Sequence, residues 1–420
     1  MKILLLPSYF YPEGVASPYI SRQRNQRFAD EGWEMVVYTP TPCRGITQEE
    51  REKYKKIKEE KMVDGKLTVH RFSLIAEAKN PVLRALRYFL QNVKQFSRAA
   101  FFKDGRSCDV MLIASTPPTQ GAMAALAKMI TKTPFVYNLQ DIFPDSLVGA
   151  GLAKKGGLLW KVGRVIENFT YRHADKIVVI GEGFKQNIME KGVSEEKIEV
   201  VYNWVDENAV VPVAKENNPL FEEFDISREK FHVVYAGNIG NAQNIDVIVD
   251  SAKELTGETD IEFLIFGTGG LKDQFVEKVK NYGIDNVKFF PLQPMERVSQ
   301  VYGLGDVCVV SCKPGLGGAA MPSKMLSIMS AGRAVVASFD KGELTYILEQ
   351  NKCGMYAPAG DVKAFASLIK QMADNREECA KMGEKARELI LKKFTKAYGT
   401  SEYVRIIKSV CPSANSVTEK

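Results

Sequence analysis

Lys324 stands in KPGLGGAAMPSKMLSIMSAG (313–332), where a Gly-rich loop meets an apolar stretch of helical period. Pro322 and Gly332 punctuate that stretch, predicting a helix that starts at Pro322 with Lys324 as its third residue. Free amides and the dipole make a helix start a site for anions, and the same dipole disfavours a cation. A phosphate held by the backbone of Ala320, Met321, Pro322 and Ser323 would cancel that penalty, with Lys324 as a point charge beside it. The chemistry implied is the binding of a phosphate group. The alternative is a lysine that snorkels to solvent.

Other loops offer similar chemistry. Gly14, the one glycine after the first apolar run, lets a backbone approach a ligand closely or serves as an ordinary turn residue. Gly267 and Gly269 in FGTGG permit close approach at a strand end. Asp141 in LQDIFPDS lines a cleft at a strand end or caps a following turn. Arg22 and Arg24 meet a substrate or its phosphates, or lie on a solvated helix face. Neither candidate first turn carries G-x-G-x-x-G, which disfavours a nicotinamide or flavin cofactor. Three histidines and seven scattered cysteines do not make a nitrogen–sulfur metal centre, so no metal and no cofactor are expected.

Those loops need strands and helices to place them. Runs at 2–7, 34–40, 108–115, 134–140, 175–181 and 197–203 read as buried parallel strands separated by helices. The series restarts at 231–238, 261–269, 286–292, 306–312 and 334–339, which predicts an α/β chain of two Rossmann-like domains, 1–203 and 204–395. The last ten residues, 411–420, read as a frayed tail. The charge run 47–66 reads as a solvated helix or a mobile loop. The stretch 81–106 sets Arg84, Arg87, Lys94, Arg98, Lys103 and Arg106 against the single Asp104. It is a basic amphipathic helix that lies on an anionic membrane or packs on the sheet with a solvated basic face.

The chain's 420 residues exceed one core, and its 45% hydrophobic and 26% charged composition is that of a soluble globular protein. A net charge of +6 suits a polyanionic ligand or an anionic membrane surface and is too weak to indicate nucleic acid. No run approaches the roughly 20 apolar residues of a membrane span, and MKILLLPSYF reads as a first strand. The expectation is a protein made in the cytoplasm, soluble there or peripheral on its membrane.

SYFYPEGVASPYISR, LQDIFPDSLVGAG, VYNWVD, YAGNIGNAQNID, FGTGG and MPSKMLSIMSAGRAVV, in that order, resemble the retaining GT-B glycosyltransferases of family four. The resemblance spans nearly the whole chain and is closest to the bacterial fucosamine and colanic-acid type. It implies two parallel sheets facing a central cleft, with the helix at 396–415 crossing back to the N-terminal domain. It further implies metal-independent transfer of a sugar, an N-acetylated hexose on UDP, to a polyprenyl-diphosphate-linked saccharide in capsule or O-antigen synthesis. The donor would be bound by the C-terminal domain and the acceptor by the N-terminal one.

Several positions depart from the family. Two glutamates usual there are replaced by Ala319 and Ser327, of which Ser327 can still meet a ribose hydroxyl. Asn238 and Gln243 stand where an Arg and a Lys usually face the diphosphate, and Gln140 replaces a His before Asp141. Leu292 and Gln293 match the loop that meets the base. Two other functions stay open: a sugar-nucleotide epimerase on the same architecture, and a non-catalytic partner of another transferase.

Overall fold

The computed structural model describes residues 1–13, 18–75, 80–149, 151, 153–318 and 321–411. The chain divides into two compact units. One comprises Met1–Tyr202 with the segment from Ala397, and the other comprises Asn203–Lys396.

In the first unit, strands β1 (Lys2–Leu5), β2 (Glu34–Pro40), β3 (Glu59–Met62), β4 (Leu67–Phe72), β5 (Val110–Ala114), β6 (Phe135–Leu139), β7 (Lys176–Val179) and β8 (Ile198–Val200) form one sheet. Its order is β3-β4-β2-β1-β5-β6-β7-β8, and every pairing is parallel except β3 with β4. Helices on both faces bury the Val/Ile-rich strands, as continuous apolar runs require. Chain order reverses between β1 and β5, so the loops beyond their carboxyl ends form a topological switch point.

The charge run divides in two. Gln48–Lys56 is a helix closed by a capping box of Thr47 and Glu50. The rest is an edge hairpin, β3 and β4, turned by Val63, Asp64 and Gly65, all at positive φ. The charged EEKM of β3 hides this strand from a hydrophobic reading, because an edge strand exposes its polar side chains.

The Pro81–Phe101 helix is capped by Asn80, whose carboxamide oxygen accepts from the amides of Val82 at 2.8 Å and Leu83 at 3.3 Å. Its polar interior is a glutamine network. Gln95 donates to the carbonyls of Pro7 (3.1 Å) and Tyr38 (3.0 Å), and Gln120 donates to Leu6 (2.6 Å). Both are fully buried and joined by a 2.7 Å bond, so they fix the carboxyl ends of β1 and β2. Arg87 is buried as well: its guanidinium donates to the Ile75 carbonyl and to Cys43 Sγ. Arg98 is paired with Asp104. Of the six basic residues in the predicted stretch, Arg84, Lys94, Lys103 and Arg106 face solvent.

The second unit has six parallel strands, β9 (Phe231–Asn238), β10 (Ile261–Thr268), β11 (Val287–Phe290), β12 (Val307–Ser311), β13 (Ala334–Phe339) and β14 (Gly354–Pro358). Their order, β11-β10-β9-β12-β13-β14, places a second switch point between β9 and β12. The short GMYAP strand β14 was not visible as an apolar run. The closing helix, Lys396–Val410, packs on the first unit, where Tyr403 lies under Arg24 and Lys408 pairs with Glu31 at 2.9 Å. Arg24 is therefore a packed residue, 8% exposed. The expected tail from 412 onward lies outside the described residues.

Candidate functional site

The chemistry concentrates beyond the carboxyl ends of β9 and β10. Tyr235 and Gly237 alternate on one face of β9, and Lys324 crosses that face. Its Nζ lies over the Tyr235 ring, 4.0 Å from the centroid. A Cβ built on Gly237 would stand 2.7 Å from the same nitrogen, so any other residue there would displace the ammonium from this position. Gly237 has φ +139°, a conformation that side chains also disfavour.

Lys324 has no carboxylate and no hydrogen-bond acceptor among the described residues. Burial pushes its pKa down to about 8. The helix it belongs to runs Ser323–Ser330, with Pro322 extended just before it, so Lys324 is the second helical residue instead of the third. No side chain among the described residues caps that helix start.

The loop after β9 is tightly tied. Tyr235 Oη donates to the Asn238 carbonyl at 2.6 Å, and the Asn238 carboxamide donates to Gln243 Oε1 at 3.1 Å. Ser311 holds the Gln243 carbonyl at 2.6 Å. Gly267 pairs in register with Gly237, and a Cβ there would meet the Gly237 carbonyl at 2.4 Å. Gly269 is pressed equally closely against Ile239. Lys324, Asn238, Gln243, Gly267 and Gly269 are thus gathered at the ends of two neighbouring strands.

The remaining predicted positions fall elsewhere. Met321, Pro322 and Ser323 lead into the short helix, while Ala320 and Gly14 lie outside the described residues. Ser327 directs its hydroxyl back to the Ser323 carbonyl at 3.5 Å. Leu292 and Gln293 follow β11, one strand beyond β10, and the Gln293 oxygen accepts from Arg297 at 2.9 Å.

Three contributors were missed. Tyr235 forms the floor under Lys324; its place two residues before Gly237, on the same strand face, was the available signal. Lys272 binds the carbonyls of Gly267 (3.2 Å) and Phe290 (3.1 Å), joining the ends of β10 and β11. Asp340 holds the Gly317 amide at 2.8 Å and so fixes the Gly-rich loop.

In the first unit, Gln140 and Asp141 follow β6. The Gln140 amide donates to Ser115 Oγ at 3.1 Å, and its carboxamide turns back to Asn138 at 2.8 Å. Asp141 is exposed, although packing close around the carboxyl raises its pKa against bonds from Ser146 and the Ile142 amide. Beyond β1, the 4%-exposed Glu13 gathers the amides of Phe10, Cys43 and Arg44. Burial raises its pKa as well.

Comparison with known proteins agrees with this architecture. Residues 22–204 match the profile described as glycosyl transferase 4-like domain, and residues 217–389 match glycosyl transferases group 1. The Pseudomonas aeruginosa glycosyltransferase WbjE is 28% identical over 76% of each chain. A glycosyl transferase of Escherichia coli named for colanic acid biosynthesis, WcaI, is 27% identical over 83% of this chain and 86% of its own. Among solved structures, Anabaena Alr3699/HepE in complex with UDP superposes with TM-score 0.73 at 16% identity, covering 97% of this chain and 100% of that one. Sucrose-phosphate synthase from Thermosynechococcus elongatus gives 0.74 at 15% identity, with 98% and 100% covered. The fold is GT-B.

Proposed function

Taking as premise that this chain belongs to the group 1 glycosyltransferases, we propose that it moves a sugar from a nucleotide donor to a lipid-linked saccharide in surface-polysaccharide synthesis. The proposed donor is UDP-linked and carries an N-acetylated hexose, and transfer retains the anomeric configuration without a metal. The colanic-acid name of one relative supports the pathway class, and UDP in a structural neighbour supports the nucleotide. The acceptor is proposed to be polyprenyl-diphosphate-linked, which would hold the enzyme at the cytoplasmic face of the inner membrane during capsule or O-antigen assembly. No helix among the described residues is long and apolar enough to cross a membrane.

One observation carries the reading: an ammonium with no counter-charge among the described residues is held at a switch point, beside a glycine that leaves its approach open. As the bond from the anomeric carbon to the phosphate oxygen breaks, negative charge gathers on the leaving diphosphate. Lys324 and the free amides at Ser323 and Lys324 are assigned to that charge. Asn238 and Gln243 add neutral contacts, Gly14, Gly267 and Gly269 allow backbone approach, and Leu292 and Gln293 are assigned to the base. Met321, Pro322 and Ser327 border the donor. Asp141 and Gln140 are assigned to the catalytic face of the first unit.

A thermal-shift screen of the purified protein against UDP-, GDP- and ADP-sugars tests the donor. A ligand at a hundredfold excess over its Kd stabilises the fold by about 2.7 kcal/mol. Absence of a shift with every nucleotide would favour a non-catalytic partner subunit, which the neutral Asn238 and Gln243 otherwise motivate. Conversion of the sugar without acceptor would identify an epimerase.

A further inference from the structure

We infer that the first unit docks on an anionic bilayer through three adjacent helices, Pro81–Phe101, Gln120–Thr131 and Leu158–His173, instead of the first of them alone. The inference rests on the peripheral-association reading above and names the surface that performs it. The Gln120–Thr131 helix packs beside Pro81–Phe101 on one side and Leu158–His173 on the other. Their inward residues, among them Gln95, Ala124 and Tyr171, are buried.

The outward residues are apolar to an unusual degree. Val82 and Phe89 are 75% and 63% exposed, Leu126 and Met129 about half exposed, and Leu158 and Val165 82% and 69% exposed. A soluble protein scatters such residues singly; here they recur on three neighbouring helices. The 158–165 positions repeat at helical spacing on one face, as in helices that lie in the membrane interface.

The charges identify the occupant. Through 81–103, 120–132 and 154–173, twelve residues are Lys or Arg and the single acidic residue is Glu167. Glu167 is buried and already bonded to Arg164, Tyr171 and Lys191. Asp104, just beyond, is engaged by Arg98. Arg84, Lys154, Lys155 and Lys161 are exposed and have no side-chain partner among the described residues. A protein partner would be met by mixed charge or a dry apolar rim. Apolar side chains interleaved with cations of one sign fit headgroups of anionic lipid over acyl chains.

Vesicle flotation tests the surface, using the full chain with phosphatidylcholine vesicles and with vesicles about one-third phosphatidylglycerol. The wild type should float with the anionic vesicles, bind the neutral ones weakly, and release as salt is raised. Each basic residue near an anionic surface contributes about 1 kcal/mol, or about fivefold in partitioning. The K154Q/K155Q/K161Q variant should therefore bind about a hundredfold more weakly. An apolar variant, L158Q/V165Q, should lose flotation while keeping the wild-type unfolding midpoint.

Flotation that ignores both variants, or that is equal on neutral vesicles, overturns the inference. So does a wild-type dimer by light scattering that the same substitutions make monomeric, because the face would then join two copies. Nucleotide binding is read separately by calorimetry. A protein that binds nucleotide without floating refutes this surface and leaves the transferase reading in place, and the reverse result refutes only the latter.

Discussion

Replacing Lys324 with Met separates binding from stability, because the two should move in opposite directions. The ammonium is half-buried with no carboxylate beside it among the described residues, and desolvation lowers its pKa from 10.5 to about 8. Such a fall corresponds to about 3 kcal/mol of unfavourable charge burial at neutral pH. Contact with the Tyr235 ring returns roughly 1 kcal/mol of it. The neutral isostere should therefore unfold about 1–2 kcal/mol later than wild type in denaturant. Nucleotide affinity should move the other way. Losing a charge-assisted bond costs about 1.5–3 kcal/mol, a weakening of about tenfold to a hundredfold.

The pH dependence follows from the same shift. Between about 8 and 10.5 the native lysine holds fewer protons than the unfolded one, so its penalty is full below pH 8 and fades as pH rises through that window. A diphosphate needs the proton back. Wild-type nucleotide affinity should fall by up to about tenfold per pH unit above pH 8, with proton uptake visible in buffers of different ionisation enthalpy. K324M should show neither effect. Unchanged affinity in K324M, or a flat wild-type profile above pH 8, would refute the assignment of Lys324 to the phosphates.

Three further substitutions test the surrounding structure. Gly237→Ala should cost about 1–3 kcal/mol, because φ +139° strains a residue with a side chain, and should weaken nucleotide binding about tenfold, because its Cβ, 2.7 Å from Lys324 Nζ, pushes the lysine aside; an alanine variant with wild-type affinity by calorimetry would contradict the packing described. Asp141→Asn should lower turnover about a hundredfold or more with donor affinity and midpoint unchanged, since the residue is exposed; full activity would reduce it to a partner of Ser146. Gln95→Leu should destabilise by about 2–4 kcal/mol in chemical denaturation, as it orphans the buried carbonyls of Pro7 and Tyr38.

The parallel strands were legible because burial on both faces forces continuous apolar runs, and DVCVVSC or AVVASF admits few other readings. Edge strands escape that rule. EEKM shows one face to solvent and GMYAP is only five residues long, so neither carries the signal. At the site, Lys324 and the glycines were legible from residue types alone. Tyr235 was not, because its role depends on a side chain arriving from a helix almost ninety residues later. Arg87 failed for a related reason: helical spacing identifies a basic residue but not that the Ile75 carbonyl and Cys43 will enclose it.

The neutral residues beside Lys324 sharpen what the proposed chemistry requires. Asn238 and Gln243 bond to each other at 3.1 Å, so each arrives at a ligand with part of its hydrogen-bonding capacity already used. A second cation there would repel Lys324 and lower its pKa further, leaving less of it charged at neutral pH. One partly desolvated ammonium, mostly protonated because its pKa stays near 8, interacts more strongly with a diphosphate than a fully solvated one does. It also needs no reorganisation, since the Tyr235 ring already holds it in place. On this account the neutral pair is compatible with turnover, provided Lys324 remains charged. Introducing Gln243→Lys should then shift the pH limit of nucleotide binding downward, and an upward shift would show that the two positions do not share one field.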